Sequence, residues 1–443
     1  MRVKIAFAAL LAMTSATARA DTLNADDLAH KNDGGYITGL PLVAYSVDFG
    51  LGLGARVYYF WDGERSDPRF GTTPYLFRTF VQAFATTGGL QFHWIDFDAP
   101  QIAGTPYRVR MGLIYMRNTL SNYFGIGDAS LAPLQYPGSA QTYGSYSDYT
   151  DDQKRAVGGV AYTRYDQFDL QRPIVLTSVE RMLLDDKVRI LGGFGLTYVK
   201  LHDYTGEQVK AIDDTGHDAT AAEAETRLHA DCAAGKLVGC GGGRDNFLRL
   251  GVSYDTRDFE PDPNSGVFVE AAADLATAAL GSQFDYVRML VSARGFWSPI
   301  PDAADLVLAA RGVLVAQSSG VPFFSMDTFN FTEDTRTGLG GHRTLRGFRQ
   351  DRFVGRDMSL VNLEARWTFG HVELKHQKLA FIVAPFVDVG RPYDRLAELS
   401  LRNWRASYGG AFRVSWNLAT LVTVDYGISD EDSGFYVNFN HIF

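Results

Sequence analysis

The chain has 443 residues, with 51 acidic against 42 basic side chains and a formal net charge of −9. This acidic surplus argues against a nucleic-acid partner, because binding to phosphate backbones depends on lysine and arginine. With 30 Phe, 22 Tyr and 45 Gly against only 15 Pro, the composition favours many strands joined by tight turns.

The first 20 residues have the pattern of a secretory signal peptide. A basic start at Arg2 and Lys4 precedes an apolar run over 5–13, and residues 18–20 (Ala-Arg-Ala) supply a small-residue cleavage site. The run is too short for a membrane-spanning helix, although an uncleaved N-terminal anchor is the alternative. Cleavage predicts an exported chain with 39 basic and 51 acidic residues, in which 21–36 forms a short periplasmic stub.

Alternating apolar and polar residues recur from 37 to 443 and predict one all-β domain of sixteen antiparallel strands. In 360–369, for example, apolar side chains occupy the odd positions and mostly polar ones the even positions. Segments of about ten residues fit strands that cross a bilayer at a tilt. The predicted strands cover 37–46, 51–62, 72–84, 90–97, 105–117, 170–183, 187–202, 246–256, 266–276, 283–296, 304–317, 359–369, 379–390, 406–416, 420–428 and 434–443.

The connections between the predicted strands alternate in length. The three longest, 118–169, 203–245 and 318–358, fall on one side, and the other side has mostly short turns. Outer-membrane barrels have long external loops and short periplasmic turns, and an even strand count then puts both termini in the periplasm. The soluble alternative, a tandem of β-sandwiches, would need interdomain linkers, and no Pro/Ser/Gly-rich segment supplies one.

Two cysteines lie eight residues apart in a glycine-rich part of the second long connection. Cys232 and Cys240 predict a disulfide, because an exported chain enters an oxidising compartment. With only His229 nearby they are too few for a zinc site. The segment 219–234 is rich in alanine and glutamate, and we interpret it as a short helix held by this disulfide, covering the barrel mouth.

The sequence offers no clear catalytic or metal-binding pattern. The glycine-rich stretch 50–54 lacks the strand–helix setting of a nucleotide-binding loop. We interpret His371, Glu373 and His376 as solvated residues of a turn rather than as metal ligands. We therefore expect neither an enzyme nor a cofactor or metal, and a catalytic group assembled in space is the least favoured alternative.

A more specific pattern lies in the third long connection and the strands after it. Leu345-Arg346-Gly347-Phe348 follows a glycine-rich stretch over 338–341, and Glu364 and the run 386–390 (Phe-Val-Asp-Val-Gly) come next. This arrangement resembles the BamA/TamA outer-membrane barrel superfamily, also called the bacterial surface antigen family. The resemblance implies that the connection folds back into the lumen. It also implies that Arg346, in its motif with Gly347 and Phe348, pairs with Glu364 on the twelfth strand and Asp388 on the thirteenth.

The residue types support this pairing independently. Glu364 and Asp388 both lie on the polar phase of their strands, which faces the lumen of a barrel. A guanidinium donates from a planar fork, so Arg346 can bridge two carboxylates. Three unrelated lumen charges solvated by water are the alternative.

Other segments match the same family. Pro41 with the glycines of 50–54 resembles its first hairpin, 124–128 an external-loop string, and 255–266 the turn after the eighth strand. Phe443, with Phe439 and Val437 on one alternating face, resembles the sorting signal read by the barrel-assembly machinery, which is therefore an expected partner during biogenesis. The best-known members carry periplasmic POTRA domains, whereas 21–36 is too short for one, so we expect a short member without them.

The resemblance implies a role in outer-membrane biogenesis or in the transport of protein or lipid through a weak seam between the first and last strands. Gly39, Pro41 and Gly434 support a weak seam, because proline cannot donate to a hydrogen-bond ladder. The expected partners are outer-membrane lipids and a separate periplasmic protein or a second copy of the chain. A small-solute pore gated by the internal loop is the main alternative, and an adhesin acting through its external loops is a weaker one.

Overall fold

The computed structural model describes residues 33–70, 73, 75–258, 262–301, 304–333, 336–374, 377–416, 420–439 and 441–443. The predicted signal peptide (1–20) and residues 21–32 of the predicted stub lie outside this part of the chain.

Sixteen antiparallel strands form one closed sheet, which confirms the all-β barrel expected from the alternating pattern. Each strand pairs with the next in chain order, and the last returns to the first. The strands are β1 (Gly34–Ser46), β2 (Gly50–Gly63), β3 (Phe77–Thr86), β4 (Leu90–Ala99), β5 (Tyr107–Asn122), β6 (Gln167–Leu183), β7 (Val188–Asp203), β8 (Phe247–Asp255), β9 (Gly266–Ala276), β10 (Tyr286–Trp297), β11 (Leu306–Gln317), β12 (Asp357–Leu374), β13 (Gln377–Tyr393), β14 (Arg405–Trp416), β15 (Thr420–Ile428) and β16 (Ser433–Phe439).

Several predicted boundaries need correction. β3 begins at Phe77 rather than at residue 72, and β12 extends to Leu374 rather than to residue 369. β1 begins at Gly34 rather than at residue 37, so the predicted stub 21–36 overlaps the first strand. β5 extends to Asn122, because its last residues still pair with β6 beyond an irregularity after Asn118. The last strand, predicted over 434–443, ends at Phe439, and residues 441–443 lie inside the barrel instead.

Side chains alternate between the lumen and the outer face along the strands, as the hydrophobic pattern predicts. On β12, Asn362 and Glu364 face the lumen and are buried, whereas Leu363 and Trp367 face outward and are about half exposed. An outer face of exposed leucine and tryptophan suits lipid, and the polar residues are kept on the inside. No helix in the described part of the chain is long and apolar enough to cross a bilayer.

The two ends of the barrel differ in their connections. The three longest connections, 123–166, 204–246 and 318–356, all lie at one end, which we call the loop end. The opposite end, with connections such as 184–187, is the turn end. This alternation agrees with the pattern of connection lengths predicted from the sequence.

The second long connection contains the predicted disulfide, which joins Cys232 and Cys240. The helix next to it covers only Arg227–Ala233, and its N-cap Thr226 accepts a hydrogen bond from the backbone N–H of His229. The predicted helix over 219–234 was too long, because Asp218–Glu223 forms a strand paired with Gln208–Ile212.

The third long connection, 318–356, folds into the lumen, as the family resemblance implied. Its apolar side chains pack against lumen-facing side chains of β10, β11 and β12, so this part of the lumen is filled by a hydrophobic layer. The buried loop residues in this layer are Phe329, Phe331, Leu339, Leu345, Phe348 and Phe353, and the wall residues include Leu290, Val313, Val315 and Leu360.

Candidate functional site

Glycines allow the tip of the internal loop to approach the barrel wall closely. Gly347 has a φ of +106°, which L side chains rarely adopt, and a Cβ there would lie 2.8 Å from the carbonyl carbon of Ile428. On β15, a Cβ at Gly427 would lie 2.6 Å from the carbonyl of Arg346. The tip therefore lies backbone against backbone on β15, and this contact brings Arg346 among the strands.

The guanidinium of Arg346 contacts carboxylates on three strands. Its Nε and Nη2 donate to the two oxygens of Asp388 on β13 at 2.8 and 2.9 Å, and its Nη1 donates to Glu364 Oε1 on β12 at 2.8 Å. Nη1 also donates to Asp425 Oδ1 on β15 at 3.1 Å. The group is fully buried and lies 3.3 Å from the ring centroid of Phe386. The structure thus brings together the three residues paired from the sequence and adds Asp425.

Two further arginines bind Glu364 from the lumen wall. Arg413 on β14 donates through Nη2 to Glu364 Oε1 at 2.7 Å and through Nη1 to Oε2 at 3.0 Å. Arg366 on β12 donates through Nε to Glu364 Oε2 at 2.8 Å. We call Arg346, Arg366, Arg413, Glu364, Asp388 and Asp425 the Arg346 cluster.

The charges of the Arg346 cluster balance in a buried region. Its three guanidinium groups face three carboxylates, and no member is more than 4% exposed. Burial alone would lower the pKa of Arg346, but the charges of Asp388 and Glu364 raise it above its ordinary value, so the group stays charged. Buried ions are tolerated only when each is compensated in this way, so the six side chains depend on one another.

Neighbouring residues fix the backbone of the loop tip. On β12, Asn362 Nδ2 donates to the carbonyl of Thr344 and to Asp388 Oδ1, both at 2.7 Å. On β11, Arg311 Nη2 donates to the carbonyl of Arg343 at 2.7 Å. These bonds hold the tip in the conformation that directs Arg346 into the cluster.

His342 in the same loop does not add a positive charge at neutral pH. Its Nε2 lies 3.7 Å from Asp425 Oδ2, but burial outweighs this attraction and lowers the pKa of the imidazole. Because the imidazole is neutral, the three guanidinium groups of the Arg346 cluster still face an equal number of carboxylates.

Residues 441–443 extend the polar network inside the lumen. Arg311 Nη1 donates to the carbonyl of Ile442, and Arg366 Nη2 to that of Phe443, both at 3.0 Å. The His441 ring contacts Arg413 Nη1 at 2.8 Å. Phe443 packs against Phe296 on the lumen face of β10.

The three residues of the predicted assembly signal therefore differ in position. Val437 and Phe439 lie half-buried on β16, whereas Phe443 is buried in the lumen and off the strand. A sorting signal acts before the barrel closes, so its reading by the barrel-assembly machinery stays a prediction.

Sequence reasoning missed Arg413 and Asp425, although both carry a detectable signal. Arg413 lies between Phe412 and Val414, and Asp425 lies between Val424 and Tyr426. A charged residue flanked by apolar neighbours on a strand occupies the lumen phase. What the pattern does not supply is the height of each charge in the barrel, which decides whether it reaches Arg346.

We expect Arg346→Ala to destabilise the barrel by about 3–5 kcal/mol, because it leaves buried carboxylates without their cation. Thermal unfolding followed by the heat-modifiable shift on gels measures this. Arg346→Lys keeps the positive charge but loses the planar set of donors, so its unfolding temperature should lie between those of the parent and of Arg346→Ala. Arg155→Ala removes an arginine that is largely exposed and should have little effect. An unchanged unfolding temperature in Arg346→Ala would contradict a stabilising cluster.

Comparison with known proteins agrees with the fold. A family model described as the Omp85 superfamily domain matches residues 99–443, and a domain of unknown function, DUF5982, matches 16–76. Neither match is a POTRA model. No curated protein matches the sequence.

Solved structures show the same barrel fold at low sequence identity. BamA from Haemophilus ducreyi lacking POTRA domains 1–3 is 13% identical at a TM-score of 0.54, over 92% of this chain and 70% of that one. CdiB from Escherichia coli is 9% identical at a TM-score of 0.50, over 90% of this chain and 62% of that one. The fold fits a protein of the bacterial outer membrane. Since the matching family model covers most of its length, the chain belongs to the Omp85 superfamily.

Proposed function

We propose that this protein acts in outer-membrane biogenesis or in the transport of protein or lipid, by opening the barrel wall between β1 and β16. The observation that carries the proposal is the shortness of this seam. Within the described residues, β1 and β16 share two residue pairs, Tyr45 with Val437 and Ser46 with Tyr436. The next shortest pairing, between β3 and β4, has six.

The seam is short because β16 separates from β1 before β16 itself ends. In the register of the two pairs, Asn438 would face Ala44 and Phe439 would face Val43, but in the described part of the chain neither pairs with β1. β16 stops at Phe439, while β1 runs from Gly34 to Ser46. Residues 441–443, which could have continued the ladder, bind lumen arginines instead. Unpaired backbone groups cost several kcal/mol each in hydrocarbon, so the wall is weakest here. Among the described residues, opening this seam separates fewer paired residues than opening any other.

The internal loop joins the two sides of the seam at the loop end. Arg349 Nη1 donates to the carbonyl of Val47 in the β1–β2 connection at 2.6 Å, and its Nε lies 2.6 Å from Asp432 Oδ2 in the β15–β16 connection. The backbone N–H of Gln350 donates to Asp48 Oδ1 at 2.9 Å. Arg349 is three residues from Arg346, so docking of the loop tip and closure of the seam are properties of one segment.

In this proposal the signal peptide is cleaved, both termini face the periplasm and the loop end faces outward. The protein is not an enzyme, and its barrel is inserted by the barrel-assembly machinery. Its working partners are outer-membrane lipids together with a separate periplasmic protein or a second copy of the chain.

A disulfide across the seam should abolish function if the seam must open. Tyr45→Cys with Val437→Cys places cysteines at paired positions of β1 and β16. Complementation of a deletion strain should fail under oxidising conditions and recover with reductant. Val252→Cys with Ala271→Cys joins β8 to β9 and serves as the control, which should complement in both states. Full complementation by the crosslinked seam would contradict the proposal.

Arg349→Ala should loosen the seam, because the two hairpin connections then lose their shared cation. Spin labels at residues 45 and 437 should give a broader distance distribution in this variant than in the parent. Arg405→Ala is the matched control, since Arg405 binds Asp430 in the same β15–β16 connection at 3.0 Å. Equal broadening by both variants would show that bridging the seam is not what Arg349 contributes.

Conductance distinguishes the proposed function from its rival, a small-solute pore gated by the internal loop. Because loop 318–356 packs a hydrophobic layer in the lumen, we expect the unmodified barrel to carry almost no steady current in planar bilayers. Large, steady currents would favour the pore and contradict a closed lumen.

A further inference from the structure

Three leucines are exposed on the connection 394–404, between β13 and β14, which we call the leucine loop. Leu396 and Leu399 are almost half exposed, and Leu401 is 92% exposed. Single exposed leucines are common, but three on one short loop, which we call the leucine patch, are the kind of surface used for interaction.

The leucine loop folds back over the outer wall of the barrel. Along β12 and β13 the outward-facing side chains are exposed at Leu363 and Val387, but buried nearer the loop end at Ser359 and Arg391. Arg391 Nη1 donates to the carbonyl of Arg402 in the loop, and its Nη2 donates to Asp128 Oδ1 of connection 123–166 at 3.1 Å. The leucine loop and connection 123–166 therefore both cover this outward side chain.

Hydrogen bonds from two aromatic side chains hold the loop in this position. The Tyr393 hydroxyl donates to the carbonyl of Ser400 at 3.1 Å, and Trp404 Nε1 donates to the same carbonyl at 2.7 Å. Tyr393 itself faces outward, pairs with Asp357 and is 1% exposed. The loop is therefore fixed against the wall rather than extended from it.

The patch continues the apolar outer face of the strands below it. Val387 pairs with Leu363 on one side and Tyr408 on the other, and all three are exposed on the outer wall. Val387 is four residues from the covered Arg391, roughly 13 Å along the strand. The leucines thus lie at the upper edge of the surface that a barrel presents to lipid.

The charged residues of the leucine loop suit the boundary between lipid headgroups and acyl chains. Arg395 and Arg402 are exposed, and within the described residues neither forms an ion pair, while Glu398 is the exposed acidic member. Long basic side chains next to apolar ones reach the headgroup phosphates while the apolar groups enter the acyl region. Trp404 lies in the same loop, and tryptophan is enriched at membrane interfaces.

We propose that the leucine loop inserts Leu396, Leu399 and Leu401 into the lipid leaflet at the loop end, with Arg395 and Arg402 binding lipid phosphates. The occupant is the membrane itself, because the patch is continuous with the lipid-facing wall. With the orientation proposed above, this is the outer leaflet. The insertion itself depends neither on that orientation nor on seam opening.

An environment-sensitive fluorophore on Leu401→Cys, with the native disulfide intact, tests the insertion in symmetric phosphatidylcholine vesicles. The matched control is Val157→Cys, a residue 80% exposed on connection 123–166. We expect a blue-shifted emission at 401 and quenching by brominated acyl chains at least about twofold stronger than at 157. Equal, water-like emission at both positions would overturn the proposal. That result would also be the one expected if the patch binds a protein instead of lipid.

A second measurement tests the phosphate contact. Vesicles containing anionic phosphatidylglycerol should increase the quenching at 401 in the parent but not in the variant with Arg395→Gln and Arg402→Gln. An equal increase in both would show that the arginines do not bind phosphate. Because the vesicles are symmetric, neither result depends on the function proposed for the seam.

Discussion

The structure depends on one buried cation. Arg346 enters the lumen on a loop and meets carboxylates from β12, β13 and β15 with the fixed fork of donors that a guanidinium supplies. Removing water from six ionised groups is unfavourable, and only their close mutual pairing compensates that cost. The loop is therefore either docked with all of its partners or displaced, with little stability between these states.

This constraint links the inside of the barrel to its wall. The segment that carries Arg346 also carries Arg349, which binds the connections on both sides of the β1–β16 seam. Arg366 of the cluster and Arg311 beside it also bind the backbone of residues 441–443, which lie inside the barrel rather than on β16. Hydrogen bonds and ion pairs thus connect the docked loop to the C-terminal residues and to both sides of the seam, and these contacts support the function proposed for the seam over that of a pore.

The sequence was most informative about features that depend on residues close together in the chain. Alternation over sixteen segments predicted the barrel, because lipid and lumen impose opposite polarity on successive residues. The expected export into an oxidising compartment predicted the Cys232–Cys240 disulfide, and motif resemblance predicted two of the carboxylates that Arg346 meets. The roles of Asp425, Arg349 and Phe443 depend on the relative height of strands distant in sequence, and no local pattern encodes that register. The inward path of 441–443 was missed because alternation extends beyond the point at which the strand ends.

The most direct test of the link between loop docking and the seam displaces the tip without removing a charge. Gly347→Val does so, because a Cβ there would lie 2.8 Å from the backbone of Ile428. Hydrogen–deuterium exchange then reports each strand separately. A docked tip that holds the seam predicts faster exchange in β1 and β16 of the variant, with β3 and β4 unchanged. If the tip is displaced but β1 and β16 exchange as slowly as in the parent, the link between loop docking and the seam is contradicted.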